Sequence, residues 1–330
     1  MSNALLSVRD LRVQFDLGRD GWFGARRVLH AVGGVSFELA RGETLGIVGE
    51  SGCGKSSLAR AILRLTPASG GQISFQGEDL LRLDAEAMRQ RRRALQPIFQ
   101  DPLASLNPRM TVGEIIGEPL RAFFSSTMPR DERRQRVLAM MQRVGLLPNQ
   151  INRYAHEFSG GQAQRIGIAR ALVLEPELVV CDEPVSALDV SIKSQIINLL
   201  QDLQEEMGLS LLFVAHDLAA VRHISHRVMV LYLGRVMELA DRDALYRAPQ
   251  HPYTRALIAA IPDPDPRRAR AHPAKPLGGE PPSPVTPPSG CVFRTRCPHA
   301  RARCTEEVPA LRSVGGSQVA CHFAEELTAD

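Results

Sequence analysis

Apolar residues are arranged along this chain in three patterns. Residues 11–15 (LRVQF) alternate apolar and polar, which predicts a half-buried strand. A polar, glycine-containing stretch from Leu17 to Arg27 follows and reads as a loop. Strand patterns return at 35–39 (VSFEL) and 44–48 (TLGIV). The second runs into a glycine-rich turn and then SSLARAILRL, whose apolar positions have helical spacing. Val137, Leu138, Met141 and Val144 mark a helix over 131–144, with Gly145 where a C-terminal cap glycine belongs. The region from about 101 to 170 predicts a helical insertion. LVVC (178–181) and LSLLFVA (209–215) are short continuous apolar runs, as in strands buried on both faces of a mostly parallel sheet. Alternating strands and helices predict an α/β core.

After Ile261 the composition changes. Prolines recur every few residues from Pro262 to Pro288, which predicts an extended linker over 262–289. A Cys-rich extension follows at 290–330. At 330 residues the chain exceeds the size of one core, so a large domain over 1–261 plus this addition is expected. The charge, 40 Lys+Arg against 36 Asp+Glu, is too nearly balanced to suggest a nucleic-acid partner. One basic cluster, Arg89, Arg91, Arg92 and Arg93, reads as a solvated helix face, with contact to anionic lipid headgroups as the alternative. No apolar run approaches the ~18–20 residues that span a bilayer, and MSNALLSVRD lacks a signal-peptide pattern. A cytoplasmic chain is expected, where disulfides are rare. The 6 cysteines are then buried thiols or metal ligands.

The chemistry is concentrated in three strings. Gly49-Glu50-Ser51-Gly52-Cys53-Gly54-Lys55-Ser56 fits G-x-x-x-x-G-K-S between a strand and a helix. Its glycines let backbone N–H groups curl around phosphates at a helix N-terminus. Lys55 can reach the β- and γ-phosphates and the Ser56 hydroxyl can bind Mg²⁺. Leu178–Glu183 is an apolar strand ending in two carboxylates, suited to hold Mg²⁺ (Asp182) and to polarise an attacking water (Glu183). Ser159-Gly160-Gly161-Gln162 opens a second helical stretch and makes a second anion site. One chain needs only one such end for its own nucleotide, so the second is expected to serve the nucleotide of another subunit.

These strings resemble the ATP-binding cassette of ABC proteins over roughly residues 6–260. The resemblance implies a P-loop α/β fold: a mostly parallel sheet with an antiparallel part, a helical subdomain at about 101–170, and a small Cys-rich extension. It implies an ATP cradle of Gly49, Ser51, Gly52, Cys53, Gly54, Lys55, Ser56 and Ser57. Phe15 stands in the place of the adenine-stacking aromatic, unusually far upstream of Gly49. Gln100 in IFQDP resembles the Q-loop glutamine, Ser186-Ala187-Leu188-Asp189 the D-loop, and His216 in VAHD the switch histidine. Ser159–Gln162 resembles the signature motif, acting in trans, with Phe158 where Leu is usual. Catalysis falls to Glu183, His216 and Gln100, and Mg²⁺ to Ser56, Gln100 and Asp182.

QDPLASLNPRMTVGEIIGEPL (100–120) and HPYTRAL (251–257) narrow the resemblance to dipeptide and oligopeptide importers, a group that also serves nickel and glutathione. The implied partners are a second ATPase subunit (a paralogue, or a copy of this chain), two transmembrane permease subunits and an extracytoplasmic binding protein, with no nucleic acid. The implied location is peripheral, on the cytoplasmic face of the inner membrane. Non-transport ABC ATPases fit less well: Gln100 and Ser159 are too close for the coiled coils of DNA-repair relatives, and only one cassette is present. The tail cysteines, Cys291, Cys297, Cys304 and Cys321, have the spacing C-x5-C-x6-C-x16-C, which does not by itself name a metal. The resemblance favours a [4Fe–4S] cluster, with zinc or no metal as alternatives and His299 and His322 as competing ligands. Cys53 and Cys181 are read as small buried residues.

Overall fold

The computed structural model describes residues 4–19, 25–261 and 277–327. The chain forms two compact units. The first comprises residues 6–38, 45–81 and 216 onward, and the second residues 4–5, 39–44 and 82–215.

The first unit carries a sheet in the order β2-β1-β4-β5, from β1 (Ala4–Arg19), β2 (Arg26–Ala40), β4 (Gly70–Phe75) and β5 (Glu78–Asp79). β4 lies antiparallel to β1, with Leu6 opposite Phe75 and Val8 opposite Ile73. The strand expected at 11–15 is part of this longer β1, and the loop expected from Leu17 to Arg27 is corrected at its two ends, while residues 20–24 lie outside the described residues. β1 continues through Arg19 and β2 starts at Arg26, although every β1 residue beyond Val13 is exposed, as are Arg26 and Arg27. Polar cross-strand pairs hold this reach: Arg26 Nη2 to Asp16 Oδ2 at 2.7 Å and the Gln14 amide to the His30 ring at 3.2 Å. Trp22 lies outside the described residues.

A second set of strands in the same unit is built on β3 (Thr44–Val48), whose residues are all buried. β3 runs parallel to β9 (Arg227–Tyr232), which pairs antiparallel with β10 (Arg235–Asp241). The tail extends this sheet. Its hairpin, β11 (Arg312–Val314) and β12 (Ser317–Val319), adds β12 to β10, with Glu238 opposite Val319. Val314, Val319 and Ala324 make its small apolar cluster. A segment too short for a large core is thus stabilised by a borrowed sheet edge. Residues 277–289 contain no helix or strand, yet the Pro284 carbonyl accepts from the His30 N–H at 3.1 Å.

The second unit contains the parallel strands β6 (Leu95–Ile98), β7 (Leu178–Asp182) and β8 (Ser210–Val214), with Val180 opposite both Pro97 and Leu212. Every residue of β7 and β8 is buried, as continuous apolar runs require. Its helices include α3 (Val112–Phe124), α4 (Arg130–Arg143), α5 (Gly160–Leu172) and α6 (Val190–Met207). α3 starts on a Thr111–Glu114 capping box. α4 ends as expected at Gly145 (φ 73°), where the N–H groups of Gly145 and Leu146 bond back to the Gln142 and Met141 carbonyls. Two residues of the basic cluster are used inside the unit. Arg89 bonds Glu86 and lies 5.6 Å from the Phe123 ring centroid, and Arg93 lies 4.8 Å from that of Phe124. Among the described residues no helix is long and apolar enough to cross a membrane.

The HPYTRAL string begins helix α9 (Pro252–Ala259) of the first unit, with His251 as its N-cap. His251 Nδ1 accepts from the Tyr253 N–H at 3.0 Å, and burial pushes the imidazole pKa down to about 3 against a hydrogen bond to the Ala320 backbone. The unfolded side chain titrates near ~6.5. The folded state therefore binds fewer protons between these values. The stability it contributes is complete above the unfolded value and is lost as pH falls. About 2 kcal/mol is lost from pH 7 to pH 5 on this account. Buried Glu238, whose carboxyl pKa is raised by burial, acts in the opposite sense. Comparison with His251→Asn, which keeps a capping side chain, isolates the histidine. Melting temperatures at pH 7 and pH 5 should fall less in the variant, and equal falls would refute the assignment.

Candidate functional site

The phosphate loop is shaped by the limited space around it. β3 ends at Val48, and residues 49–54 turn the chain into helix α1 (Lys55–Ile62). Gly49, Gly52 and Gly54 have φ of 156°, 77° and 102°. A Cβ at Gly49 would overlap the Leu231 carbonyl oxygen, and one at Gly54 the Ala31 carbonyl oxygen, whereas one at Gly52 would meet nothing. The turn between β9 and β10 braces the loop. The Gly234 N–H donates to the Cys53 carbonyl and the Gly234 carbonyl accepts from Gly33, both at 2.8 Å. Leu233 and Gly234 have φ of 43° and 71°, the mirror-image turn that suits strand twist.

Lys55 is buried, and its Nζ donates to the carbonyls of Gly49 at 2.9 Å and Glu50 at 3.0 Å. Ser51 and Gly52 are exposed, while Ser56 and Ser57 are half-buried on the first turn of α1. Burial pushes the Cys53 thiol pKa up, as it does that of Cys181 in β7, so both are neutral packing residues. Sequence reasoning gave Tyr253 no role, yet its hydroxyl accepts from the Glu50 N–H at 3.0 Å.

In the second unit β7 delivers Asp182, which is 4% exposed, and then Glu183, which has φ 49°. A left-handed glutamate is strained by on the order of 1–3 kcal/mol. It is held by its own N–H to the Val214 carbonyl at 2.9 Å, and by the Ser186 hydroxyl and N–H to its carbonyl at 3.1 and 3.2 Å. Gln100 Nε2 donates to Glu183 Oε2 at 3.2 Å. Residues 83 positions apart are thus brought together.

Ser159 caps α5. Its Oγ accepts from the Gln162 N–H at 3.4 Å, and Gln162 Oε1 accepts from the Ser159 N–H at 3.1 Å. A Cβ on Gly160 would lie 3.4 Å from Leu188, and one on Gly161 only 2.6 Å from Ile192. Ser186, Ala187, Leu188 and Asp189 thus turn between Glu183 and α6, beside these glycines.

Phe15 and His216 lie in the first unit. Phe15 is 37% exposed on the outer reach of β1. His216 is exposed, one residue before Asp217, which caps helix α7 (Leu218–Ile224) through the N–H groups of Ala219 and Ala220.

The four tail cysteines, with His299 and His322, line one small pocket of about 20 Å³. The Cys291 N–H donates to the Cys304 carbonyl at 2.8 Å, across the 12 residues between them. Burial pushes the Cys291 and Cys321 thiol pKa values up, and that of Cys297 to about 11. Among the described residues, no three His, Cys, Asp or Glu side chains are placed to hold a metal ion in common. The donor chemistry, four soft sulfurs around one pocket, nonetheless suits a thiophilic group.

A strand-loop-helix phosphate cradle with a paired-carboxylate strand defines a P-loop nucleoside triphosphatase. The comparisons narrow the class. Residues 32–186 match the ABC transporter family and residues 237–304 match the oligopeptide/dipeptide transporter C-terminal region. The chain is 58% identical over 325 residues to the oligopeptide transport ATP-binding protein OppF of Salmonella typhimurium, covering 98% of this chain and 97% of the relative. It is 57% identical over 325 residues to OppF of Escherichia coli, covering 98% and 97%. Among solved structures, it is similar to the dimeric post-hydrolysis state of the ATP-binding cassette MJ0796 bound to ADP and Pi. That match has a TM-score of 0.64 and 28% identity over 72% of this chain and 98% of the other. The chain belongs to the ABC transporter family, as one of its ATP-hydrolysing cassettes.

Proposed function

We propose that this chain is the ATP-hydrolysing subunit of an oligopeptide importer. It works at the cytoplasmic face of the inner membrane with a second cassette subunit, two permease subunits and an extracytoplasmic binding protein. The observation that carries this reading is the near-full-length similarity to two oligopeptide transport ATP-binding proteins, which runs through the tail as well as the cassette. In domain terms the cassette is 1–261, the linker 262–289 and the extension 290–330.

The residues take the following roles. Gly49, Ser51, Gly52, Cys53, Gly54, Lys55, Ser56 and Ser57 form the phosphate cradle, with the Lys55 ammonium on the phosphates, and Phe15 stacks on adenine. Glu183 accepts a proton from water as its oxygen attacks the γ-phosphorus. The bond to the bridging oxygen breaks, releasing ADP and phosphate. His216 holds the γ-phosphate. Ser56, Gln100 and Asp182 offer the oxygen donors that a hard cation requires; bound Mg²⁺ would neutralise phosphate charge there. Ser159, Gly160, Gly161 and Gln162, with the Ser186–Asp189 turn, act on the nucleotide of the partner cassette. Support for a shared site comes from two phosphate-binding helix ends in one chain, and from the dimeric state in which a similar cassette was solved.

The tail cysteines Cys291, Cys297, Cys304 and Cys321 are assigned to a [4Fe–4S] cluster, with zinc as the alternative. Support comes from four sulfur donors around one pocket. Such a site deprotonates its thiols on loading, so the raised pKa values of Cys291, Cys297 and Cys321 make loading weaker as pH falls.

Three outcomes test these assignments. Glu183→Gln, assayed in the assembled transporter, should bind ATP normally and turn over on the order of 10²–10⁴-fold more slowly; near-normal turnover would remove the base. Gly160→Asp puts a carboxylate at the signature end without the clash that a side chain at Gly161 would meet with Ile192. ATP binding by the isolated chain should be unchanged, while ATPase in the assembled transporter should be lost. Full activity would contradict the shared site. For the tail, anaerobically purified protein should contain iron and sulfide in equal amounts. Zinc without iron would replace the cluster, and neither metal would eliminate a metal site.

A further inference from the structure

The phosphate loop makes a contact with the C-terminal extension that neither motif explains. Glu50, the second residue of the loop, points its carboxylate at Arg296, which precedes Cys297. The pair is bidentate: Arg296 Nη1 to Glu50 Oε2 at 2.6 Å and Nη2 to Oε1 at 3.0 Å. The Arg296 side chain is 4% exposed and that of Glu50 26%. The rest of the guanidinium is also engaged. Its Nε donates to the Gly278 carbonyl at 3.1 Å, Nη1 reaches the Tyr232 hydroxyl at 3.4 Å, and the group lies 5.8 Å from the Tyr232 ring centroid. Tyr232, Tyr253 and Phe293 pack around this contact, with ring centroids 4.7–5.3 Å apart. The Glu50 hydrogen bonds raise the arginine's already high pKa further. As a guanidinium, Arg296 stays charged throughout the working pH range.

The loop is built to attract a polyanion, and Glu50 is a full negative charge within it. Its neighbour Gly49, and Glu50 itself, supply the carbonyls that Lys55 Nζ binds. Released from Arg296, the carboxylate would compete with phosphate for the Lys55 ammonium. Held by Arg296, it is neutralised and turned toward the extension. We propose that Arg296 is a positioning residue for the phosphate loop: it sequesters the Glu50 carboxylate, so that ATP affinity depends on the folded C-terminal extension. The proposal rests on the ATP-binding reading above and adds a role for the extension within the cassette's own chain.

Equilibrium MgATP binding by the full-length chain tests it, with thermal denaturation as the check on folding. Arg296→Met leaves Glu50 charged and unpaired, and should weaken MgATP binding about tenfold. Adding Glu50→Gln removes the carboxylate, and the double variant should return to within about threefold of wild type. A role limited to tethering the tail predicts the contrary, because the double variant also lacks the ion pair. Arg301→Ala, which breaks the Arg301–Glu326 pair elsewhere in the tail, should bind like wild type. Wild-type affinity in folded Arg296→Met would overturn the proposal, as would a double variant as weak as the single one or equal weakening in Arg301→Ala. Failure of the wild-type chain to bind MgATP would instead overturn the ATP-binding reading itself.

Discussion

The phosphate loop has almost no room for side chains, and much of the first unit is arranged around that restriction. Two main-chain oxygens, of Leu231 and Ala31, stand where Cβ atoms of Gly49 and Gly54 would be. They belong to β9 and β2, so the loop is pressed between segments nearly 200 residues apart. Close approach on this side fixes the path of the peptide planes. The β9–β10 turn must be equally tight, since Gly234 bonds both Cys53 and Gly33 and a Cβ there would lie 2.6 Å from the Ala31 oxygen. Lys55 closes the arrangement from within by binding two loop carbonyls.

The same economy shows at the end of β7. Successive side chains of a strand point to opposite faces, so two adjacent carboxylates cannot share a direction while the strand continues. Asp182 keeps the strand conformation and is buried. Glu183 leaves it for a left-handed backbone and becomes half-buried, in reach of Gln100. Three backbone-directed hydrogen bonds hold the glutamate in a conformation that an isolated residue would avoid. A distorted residue next to an undistorted one lets adjacent positions carry different chemistry.

Much of this was legible in the sequence because chain-local rules govern it. The glycine loop, the buried runs of β7 and β8, the Gly145 cap and the Ser159–Gln162 end each depend on residues within a few positions of one another. What was missed depends on distant partners. The β1–β2 reach is polar and exposed, so no apolar alternation marks it; Arg26 and Asp16 hold it by charge. Leu233-Gly234 lacks the Asn-Gly signature of its turn type, because the turn is imposed by the loop it braces. The tail has too few apolar residues to predict a core, and its use of the β10 edge could not be read from either segment alone. Glu50 and Arg296 are 246 positions apart, and each alone reads as an ordinary surface charge.

The α1 and α5 helix ends, to which the proposed function gives different tasks, are prepared differently. The α1 end has no side-chain cap. It starts at left-handed Gly54, and its charge comes from a buried lysine already fixed in place. That end suits retention of a nucleotide by one chain. The α5 end carries its own cap, since Ser159 Oγ takes the Gln162 N–H and also reaches Gln162 Oε1. Those contacts, 3.4 and 3.3 Å, are long, and long hydrogen bonds are weak. Exchanging them for a charged phosphate oxygen would therefore cost little and gain a charge-assisted bond. An end that is satisfied alone yet cheaply opened can stay folded between encounters and still close on an anion brought to it.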